Sequence, residues 1–446
     1  MIRLSEFSFF HPGRDDATLV STLPIELPTT GLHLLTGPSG SGKSTLLSLI
    51  KGLCPHYTPG TFTGAIYYND ELVDKDFVLK AQNEIVYLFQ NPLNQIIYQN
   101  PNLEFCFTAE SQQISFDEFM KHKTSIVNSF GLASLWNKKT SEISLGQAQR
   151  LLLGSLLVTN PKVLLLDEPT AFMDQAARKL FYEMLADLKQ KYLVLLVDHH
   201  VSEVKALVDG FITVDQAGKV FQQKQLVDAE SYDFKGLKEK HQSLNVSDGY
   251  QITLDHVNFS YKKEQPLLND ISLTMKAPEI IAIRGENGSG KSTLLKLLVG
   301  ALNPTKGKIK QSVSARDVVK NTGYVMQNPE DNFICDTAHE ELLETDKDLV
   351  KLFFPTKNLN VSPFSLSEGE KRRLSLLVHL NPNKKVILYD EPTFGLDEKN
   401  KYFVAESLLK FRAKNILQII VSHDETLIKA VADRVFDLKD GRLYET

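Results

Sequence analysis

The sequence predicts an α/β protein of two similar domains, each a mostly parallel sheet covered by helices. Three observations predict it. A glycine loop occurs twice, as GPSGSGKST at Gly37 to Thr45 and GENGSGKST at Gly285 to Thr293. Short apolar runs alternate with stretches of helical spacing, the pattern of strand, crossover helix and strand. The 446 residues exceed one ordinary domain and suit two or three, each large enough to bury its own core.

Both loops read glycine, four residues, glycine, lysine, then serine or threonine. Chance supplies about 0.02 such loops in a chain of this length, so two copies are not coincidence. Gly31 to Thr36 (GLHLLT) and Glu279 to Arg284 (EIIAIR) read as buried strands ahead of the loops. Leu46 to Lys51 and Leu294 to Val299 carry helical spacing behind them. In that frame Gly37, Gly40 and Gly42, like Gly285, Gly288 and Gly290, let successive N–H groups converge on phosphate oxygens at a helix N-terminus. Lys43 and Lys291 then reach the outer phosphates, the Ser44 and Ser292 hydroxyls hold Mg2+, and Thr45 and Thr293 complete the motif. A plain glycine-rich turn with an exposed lysine is the competing reading, and two copies in the same frame weigh against it.

Composition narrows the class. With 42% hydrophobic and 24% charged residues the chain has the make-up of a soluble globular protein. Its longest apolar runs, such as Val163 to Leu166 and Leu193 to Val197, are far shorter than the ~20 residues needed to span a bilayer. The start, MIRLSEFSFF, shows no secretory pattern. A net charge of -5 without a basic block argues against a broad nucleic-acid footprint. Cys54, Cys106 and Cys335 lack metal-binding spacing and read as reduced thiols of a cytosolic protein.

Five landmarks recur in order: Lys43 with Lys291, Gln90 with Gln327, Ser144 with Ser367, Asp167 with Asp390, and His199 with His423. The last three pairs keep one separation to within about a residue, whereas the second copy is shorter by about 11 residues before the glutamine and about 14 after it. The first domain spans residues 1–224, opening with a strand-like Ile2 to Phe10. A polar, aperiodic linker occupies 225–249, and the second domain spans 250–446.

VLLLDEPT at Val163 to Thr170 and VILYDEPT at Val386 to Thr393 are apolar strands ending in adjacent acids. Asp167 and Asp390 can help bind Mg2+, and Glu168 and Glu391 can polarise a water for attack on the terminal phosphate. The simpler reading, acids that start a helix before Pro169 and Pro392, loses weight beside the two loops. His199 and His423 come after the apolar runs LVLLVDHH and LQIIVSHD and would emerge beside the phosphates. His200 has Asp424 as its counterpart, so His199 is preferred. Gln90 and Gln327, each before Asn-Pro, are either polar turn residues or sensors of Mg2+ and the γ-phosphate. Ser144 and Ser367 read as N-caps of long helices, a sufficient structural role. A helix start is also an anion site, so Ser144 with Gly146 and Ser367 with Gly369 can grip a phosphate held elsewhere.

With these elements in order, the chain resembles the nucleotide-binding domains of ABC ATPases, twice over and along nearly its whole length. The resemblance implies two P-loop NTPase domains, each with an N-terminal antiparallel β subdomain and a helical signature subdomain, and ATP and Mg2+ as cofactors. It implies head-to-tail composite sites in which Ser367 and Gly369 face the first loop, and Ser144 and Gly146 the second. Asp174 and Asp397 match the family's interface aspartates. Tyr261 matches the aromatic that stacks on adenine, whereas the first domain offers Phe10 or His11. Both signatures depart from LSGGQ. Leu145 and Glu368 replace the first glycine, and Glu370 replaces the glutamine. A carboxylate beside a polyphosphate opposes it by about 1 kcal/mol when well solvated, which Lys371, Arg372 and Arg373 can offset.

QNPLNQ at Gln90 to Gln95 and QNPEDN at Gln327 to Asn332 look like a segment of the ATPases of energy-coupling factor importers for vitamins and metal ions. That resemblance implies a transmembrane coupling protein and a small substrate-binding membrane protein as partners, at the cytoplasmic face of the membrane. With both domains in one chain, no homodimer is required. Tandem ABC proteins acting on ribosomes and sugar-importer ATPases are the alternatives; the former usually carry a long charged linker, unlike 225–249.

Overall fold

The computed structural model describes the chain except residues 13–15, 39, 81–82, 112–113, 172, 174, 224–231, 241–248, 263–264, 287, 356–357, 367, 381–383 and 394–395. Contacts divide it into two units, Met1–Ala229 and Glu230–Thr446.

The first unit is built on a six-stranded sheet in the order Ile85–Leu88, Val163–Asp167, Leu193–Val197, Gly31–Thr36, Gly210–Val214 and Val220–Gln223. All neighbours are parallel except the last pair, a hairpin. The middle strands are covered on both faces. Val163 and Leu165 join Leu46, Leu47, Leu49 and Ile50 of helix Lys43–Lys51 in one core, while Leu164 and Leu166 join Leu151 to Leu153 and Leu157 of helix Leu145–Leu157 in the other. A strand buried on both sides needs no polar alternation, which is why VLLLD is apolar until its last residue. Burying each such leucine contributes ~1.5–3 kcal/mol.

The second unit repeats the order with Thr322–Val325, Val386–Asp390, Leu417–Val421, Ile280–Arg284, Arg434–Lys439 and Arg442–Glu445. Its parallel and antiparallel pairings are those of the first. Here Ile387 and Tyr389 face the side of helix Glu368–His379, and Val386 and Leu388 the side of helix Lys291–Leu298.

Ile2 to Phe10, expected as one strand, is two: Ile2–Leu4 and Phe7–Phe10 lie in different antiparallel sheets. Ser5 marks the break: its Oγ accepts from the Ala65 N–H at 2.8 Å while its own N–H donates to the Ala65 carbonyl at 2.9 Å. In the second unit Gln251–Phe259 stays one strand, with a bulge between Leu254 and Val257 where His256 takes φ 50°. The shorter middle of the second unit also has a structural form. Between the glutamine and the signature, helices Pro101–Ser111 and Phe116–Ser129, of 11 and 14 residues, give way to Ala338–Glu341 and Lys347–Phe353, of 4 and 7.

The segment expected to be a polar connector also carries apolar anchors. Tyr232 and Phe234 lie 5.4 and 5.6 Å from the Tyr402 ring, and Leu237, in helix Leu237–Lys240, is buried in the second unit's core. Among the described residues no helix is long and apolar enough to cross a membrane.

His33 sits on the central strand of the first sheet with neither ring nitrogen hydrogen-bonded. Burial lowers its pKa, with Asp209 acting in the opposite sense. The unfolded chain therefore takes up a proton near pH 6.5 that the folded chain resists, and stability is lost as pH falls below 6.5. Ile281 stands at the same distance ahead of the second loop's lysine. We expect His33→Ile to stabilise the first unit by about 1–3 kcal/mol, with the gain growing as melts are taken at progressively more acidic pH.

Candidate nucleotide sites

In each unit the parallel register carries the chemistry to one edge of the sheet. Asp167 pairs with Val197, and Val197 with Leu35, so the acid pair, the histidine and the glycine loop leave neighbouring strand ends together. Asp390, Val421 and Ile283 are aligned in the same way. This is the carboxyl end of the strands, where open α/β sheets bind ligands.

Both loops are shaped by left-handed glycines. Gly37, Gly40 and Gly42 have φ of 141°, 78° and 104°, and Gly285, Gly288 and Gly290 have 154°, 83° and 105°. Gly42 and Gly290 are the N-caps of helices Lys43–Lys51 and Lys291–Leu298, so Ser44, Thr45, Ser292 and Thr293 lie in their first turns. A Cβ on Gly42 would meet Leu19 Cδ2 at 2.7 Å, and one on Gly290 would meet Leu268 Cδ2 at 2.9 Å. Lys43 Nζ donates to the Gly37 and Pro38 carbonyls at 2.9 and 2.8 Å, and Lys291 Nζ to those of Gly285 and Glu286 at 2.6 and 2.9 Å. The lysines lie across their own loops.

Glu168 and Glu391 adopt φ of 48° and 55°. A non-glycine residue there is strained, and such residues cluster at functional sites. Each is held by one further ladder bond, from its own N–H to Val197 at 2.9 Å or to Val421 at 2.8 Å. That bond keeps the glutamate against the histidine strand while the chain turns away. The next helix begins only at Gln175, or Glu398 in the second unit, so the acids are not helix starters.

In the first unit Glu168 Oε2 accepts from Gln90 Nε2 at 2.6 Å, and Oε1 lies 2.8 Å from His199 Nε2. Burial opposes a charge on His199, but Glu168 outweighs it and raises the imidazole pKa. His200 turns instead to Asp198. Burial, then Glu168, push the Asp167 carboxyl up to about 6. Ser44 and Tyr87 bond to it, Tyr87 O–H donating to Oδ2 at 2.9 Å. Oδ1 is buried without a partner, a costly state that a bound ion relieves. Hydroxyl and carboxylate oxygens are the donor set of Mg2+.

The second unit is looser. Gln327 is exposed, His423 Nε2 is 3.7 Å from Glu391, and the His423 N–H donates to Glu391 at 3.3 Å. Burial raises Glu391 to about 7 and also raises Asp390, to which Ser292 bonds.

Ser144 caps helix Leu145–Leu157: its Oγ accepts from the Gln147 N–H, and the Gln147 side chain accepts from the Ser144 N–H, with Gly146 buried behind it. Ser367 lies outside the described residues, as does Asp174. Gly369 is in helix Glu368–His379, and Asp397 caps helix Glu398–Ala413. Lys371 pairs with Glu330, and Arg373 lies over the Phe354 ring, where burial lowers its pKa while Glu370 and Asp397 act in the opposite sense.

Tyr261 is exposed, stands edge-on to Phe259 at 4.9 Å and reaches Thr293 Oγ1 at 3.2 Å. His11 repeats this arrangement, edge-on to Phe9 at 5.0 Å and 3.4 Å from Thr45 Oγ1.

Several participants escape a reading of the sequence. Tyr87 and Tyr324 precede the two glutamines by the same interval, and burial, then the neighbouring aspartate, raises both phenols. Gln95, last residue of QNPLNQ, returns to the Phe89 N–H and the Tyr87 carbonyl, and Asn332 binds the Met326 N–H and His379. The shared final amide of the two segments is the available signal. Gln149 holds the Phe89 and Gln90 carbonyls.

Two glycine-loop nucleotide sites on twin parallel sheets define a tandem ATP-binding ATPase. The chain belongs to the ABC transporter family, whose model matches residues 20–171 and 268–394. It is 31% identical to a "Putative ABC transporter ATP-binding protein" of Sulfurisphaera tokodaii, covering 97% of this chain and 95% of that one. It is 27% identical to the "Putative HMP/thiamine import ATP-binding protein YkoD" of Bacillus subtilis, over 99% of this chain and 90% of the relative. Its fold is similar to a solved "RNase-L Inhibitor", with TM-score 0.63 and 18% identity over 98% of this chain and 89% of that one. It is also similar to a chain in a model of ribosome-bound archaeal Pelota and ABCE1, with TM-score 0.68 and 19% identity over 98% and 78%.

We expect Gly42→Ala or Gly290→Ala to weaken binding of a fluorescent ATP analogue at its own loop at least about tenfold, because the Cβ meets a leucine and the φ is strained. Titration is expected to show two tight sites in the unaltered chain and one in either variant.

Proposed function

We propose that this chain is the ATP-hydrolysing motor of a membrane importer of the energy-coupling factor type, carrying a vitamin or a metal ion. The observation that carries the reading is a set of large apolar side chains left exposed downstream of each glutamine: Leu93, Ile97, Leu103 and Phe116 in the first unit, and Ile334, Leu343 and Phe364 in the second. Exposed apolar groups of this kind mark partner surfaces, and Leu93 stands three residues from Gln90, which binds Glu168. The import function in the name of the Bacillus relative supports the same reading. The chain then works at the cytoplasmic face of the membrane, with a coupling protein and a small substrate-binding protein as partners.

Lys43 and Lys291 exchange loop carbonyls for the β- and γ-phosphates of ATP, and Ser44, Gln90 and Asp167, like Ser292, Gln327 and Asp390, hold Mg2+. When bound, Mg2+ neutralises charge developing on the phosphates. Glu168 and Glu391 orient the attacking water, and His199 and His423 hold the γ-phosphate against it. Ser144 with Gly146 and Ser367 with Gly369 grip a phosphate oxygen, and ATP binding and hydrolysis switch the chain between two states that drive its membrane partners. His11 and Tyr261 stack on the adenines; their alanine variants should each weaken ATP binding by about 1–3 kcal/mol in equilibrium titrations.

Because the two glutamates are held differently, their contributions should differ. Glu168→Gln and Glu391→Gln are expected to lower ATPase turnover unequally, by at least about threefold relative to each other; equal losses would refute functional asymmetry. The central test is gentle detergent extraction of the tagged chain from its own host. One larger and one or more small integral membrane proteins should co-purify. Ribosomes without a membrane protein would overturn the importer reading and leave the ATPase intact.

A further inference from the structure

The two units reach one contact with different residues. In the first, the threonine of DEPT, Thr170, donates its hydroxyl to Asp198 Oδ2 at 2.8 Å. Asp198 immediately precedes His199 and is buried. The Tyr182 hydroxyl also donates to Oδ2, at 3.0 Å, and Oδ1 accepts from the His200 N–H at 2.8 Å. In the second unit Thr393 donates to Asp424 Oδ2 at 3.1 Å, but Asp424 comes after the histidine. The position before His423 is Ser422, whose Oγ accepts from the Asp424 N–H at 3.0 Å. The carboxylate has crossed from one side of the histidine to the other, yet it still holds the same threonine. The other neighbours differ. Lys401 Nζ lies 3.6 Å from Asp424 Oδ2 where Asp198 has Tyr182, and Asp424 Oδ1 also caps helix Glu425–Val431 through the Thr426 and Leu427 N–H groups at 3.0 and 3.1 Å. Among the described residues the threonine is thus the side-chain partner that both carboxylates share.

The place of the bridge explains its use. Backbone pairing between the acid strand and the histidine strand ends with the Glu168 or Glu391 N–H. Beyond that bond the two segments diverge with no shared ladder. We propose that Asp198 and Asp424 are positioning residues: through Thr170 and Thr393 each ties the turn bearing the glutamate to the turn bearing the histidine, keeping the two side chains at a working separation. A charge-assisted bond from a short, β-branched side chain suits this task, because little conformational freedom remains in it. Losing the bridge frees the histidine relative to the glutamate and leaves the glycine loop untouched.

The test uses the full chain. The double variant Thr170→Val with Thr393→Val removes both hydroxyls at nearly constant volume, and Thr170→Ser with Thr393→Ser restores them. We expect kcat to fall about tenfold or more in the valine variant, KM for ATP to stay within about threefold, and the serine variant to recover most of the turnover. Asp198→Ser should show the same loss, and Asp198→Ser with His200→Asp, which gives the first unit the Ser-His-Asp order of the second, should recover it. Wild-type kcat in the valine variant would overturn the proposal. So would serine variants as slow as the valine ones, or a transplanted Ser-His-Asp segment no faster than Asp198→Ser alone. Melting temperatures of all variants separate lost positioning from lost folding: a kcat deficit that tracks the melting temperature through the series, instead of the presence of the hydroxyl and carboxylate, also overturns it.

Discussion

Everything at the two sites depends on the register of three adjacent parallel strands. Because Leu35, Val197 and Asp167 are neighbours across the sheet, three turns far apart in sequence must leave it side by side. The apolar interior of the strands sets that register, since residues on both faces are buried and a slip by one would exchange the two cores. The glutamates bear the local strain. Held by one last backbone bond at positive φ, each turns back toward the histidine instead of continuing the strand. Burial of the preceding aspartate arises from the same geometry and raises its carboxyl pKa in both units.

On this common frame the units diverge. Gln90, Glu168 and His199 are linked in a row through the two oxygens of Glu168, and Gln149 on the signature helix holds the carbonyl of Gln90. In the second unit the helix reaches the QNP segment by other means, through Lys371 to Glu330 and His379 to Asn332. Glu330 takes the place of Leu93, which is exposed in the first unit. A solvent-facing apolar side chain has thus been exchanged for an ion pair with a buried lysine. Burial holds His379 neutral, with a pKa of about 4, so its bond to Asn332 persists through the physiological range. Together with the shortened helices, these differences give the second unit a different segment behind its glutamine, with Glu330 in an ion pair where the first unit exposes Leu93.

Much of this is legible in the sequence, for identifiable reasons. Strands buried on both faces appear as unbroken apolar runs, and the glycine loops need a residue type that few other settings demand at that spacing. Ile2 to Phe10 reads as one strand because its break rests on Ser5 meeting Ala65, a contact between distant segments that no local pattern records. Tyr232, Phe234 and Leu237 give no signal because three apolar residues in a polar stretch have no period. The partners of the glutamates and aspartates, Tyr87 above all, emerge only in the folded neighbourhood, since a tyrosine on a buried strand looks like any core aromatic. For the first unit the sequence leaves Phe10 and His11 open as the counterpart of Tyr261; the contacts with Phe9 and Thr45 set His11 apart.

The signature helices show how a local rule and a functional one can share residues. Ser144 and Gln147 form a reciprocal capping box, which satisfies two N–H groups at the helix start and contributes about 1 kcal/mol. A phosphate oxygen arriving at this helix start, as proposed above, would compete with an internal acceptor rather than meet an open donor. In the second unit Glu370 occupies the position of Gln147 and adds a charge. Arg373, one turn further along the same helix, answers that charge from its place over Phe354, with Asn400 taking one of its N–H groups at 3.3 Å. An arginine so placed moderates the field of Glu370 without reaching past the helix start. The acidic signature is then compatible with an anion nearby because its counter-charge is built into the fold, behind the helix end and away from solvent screening.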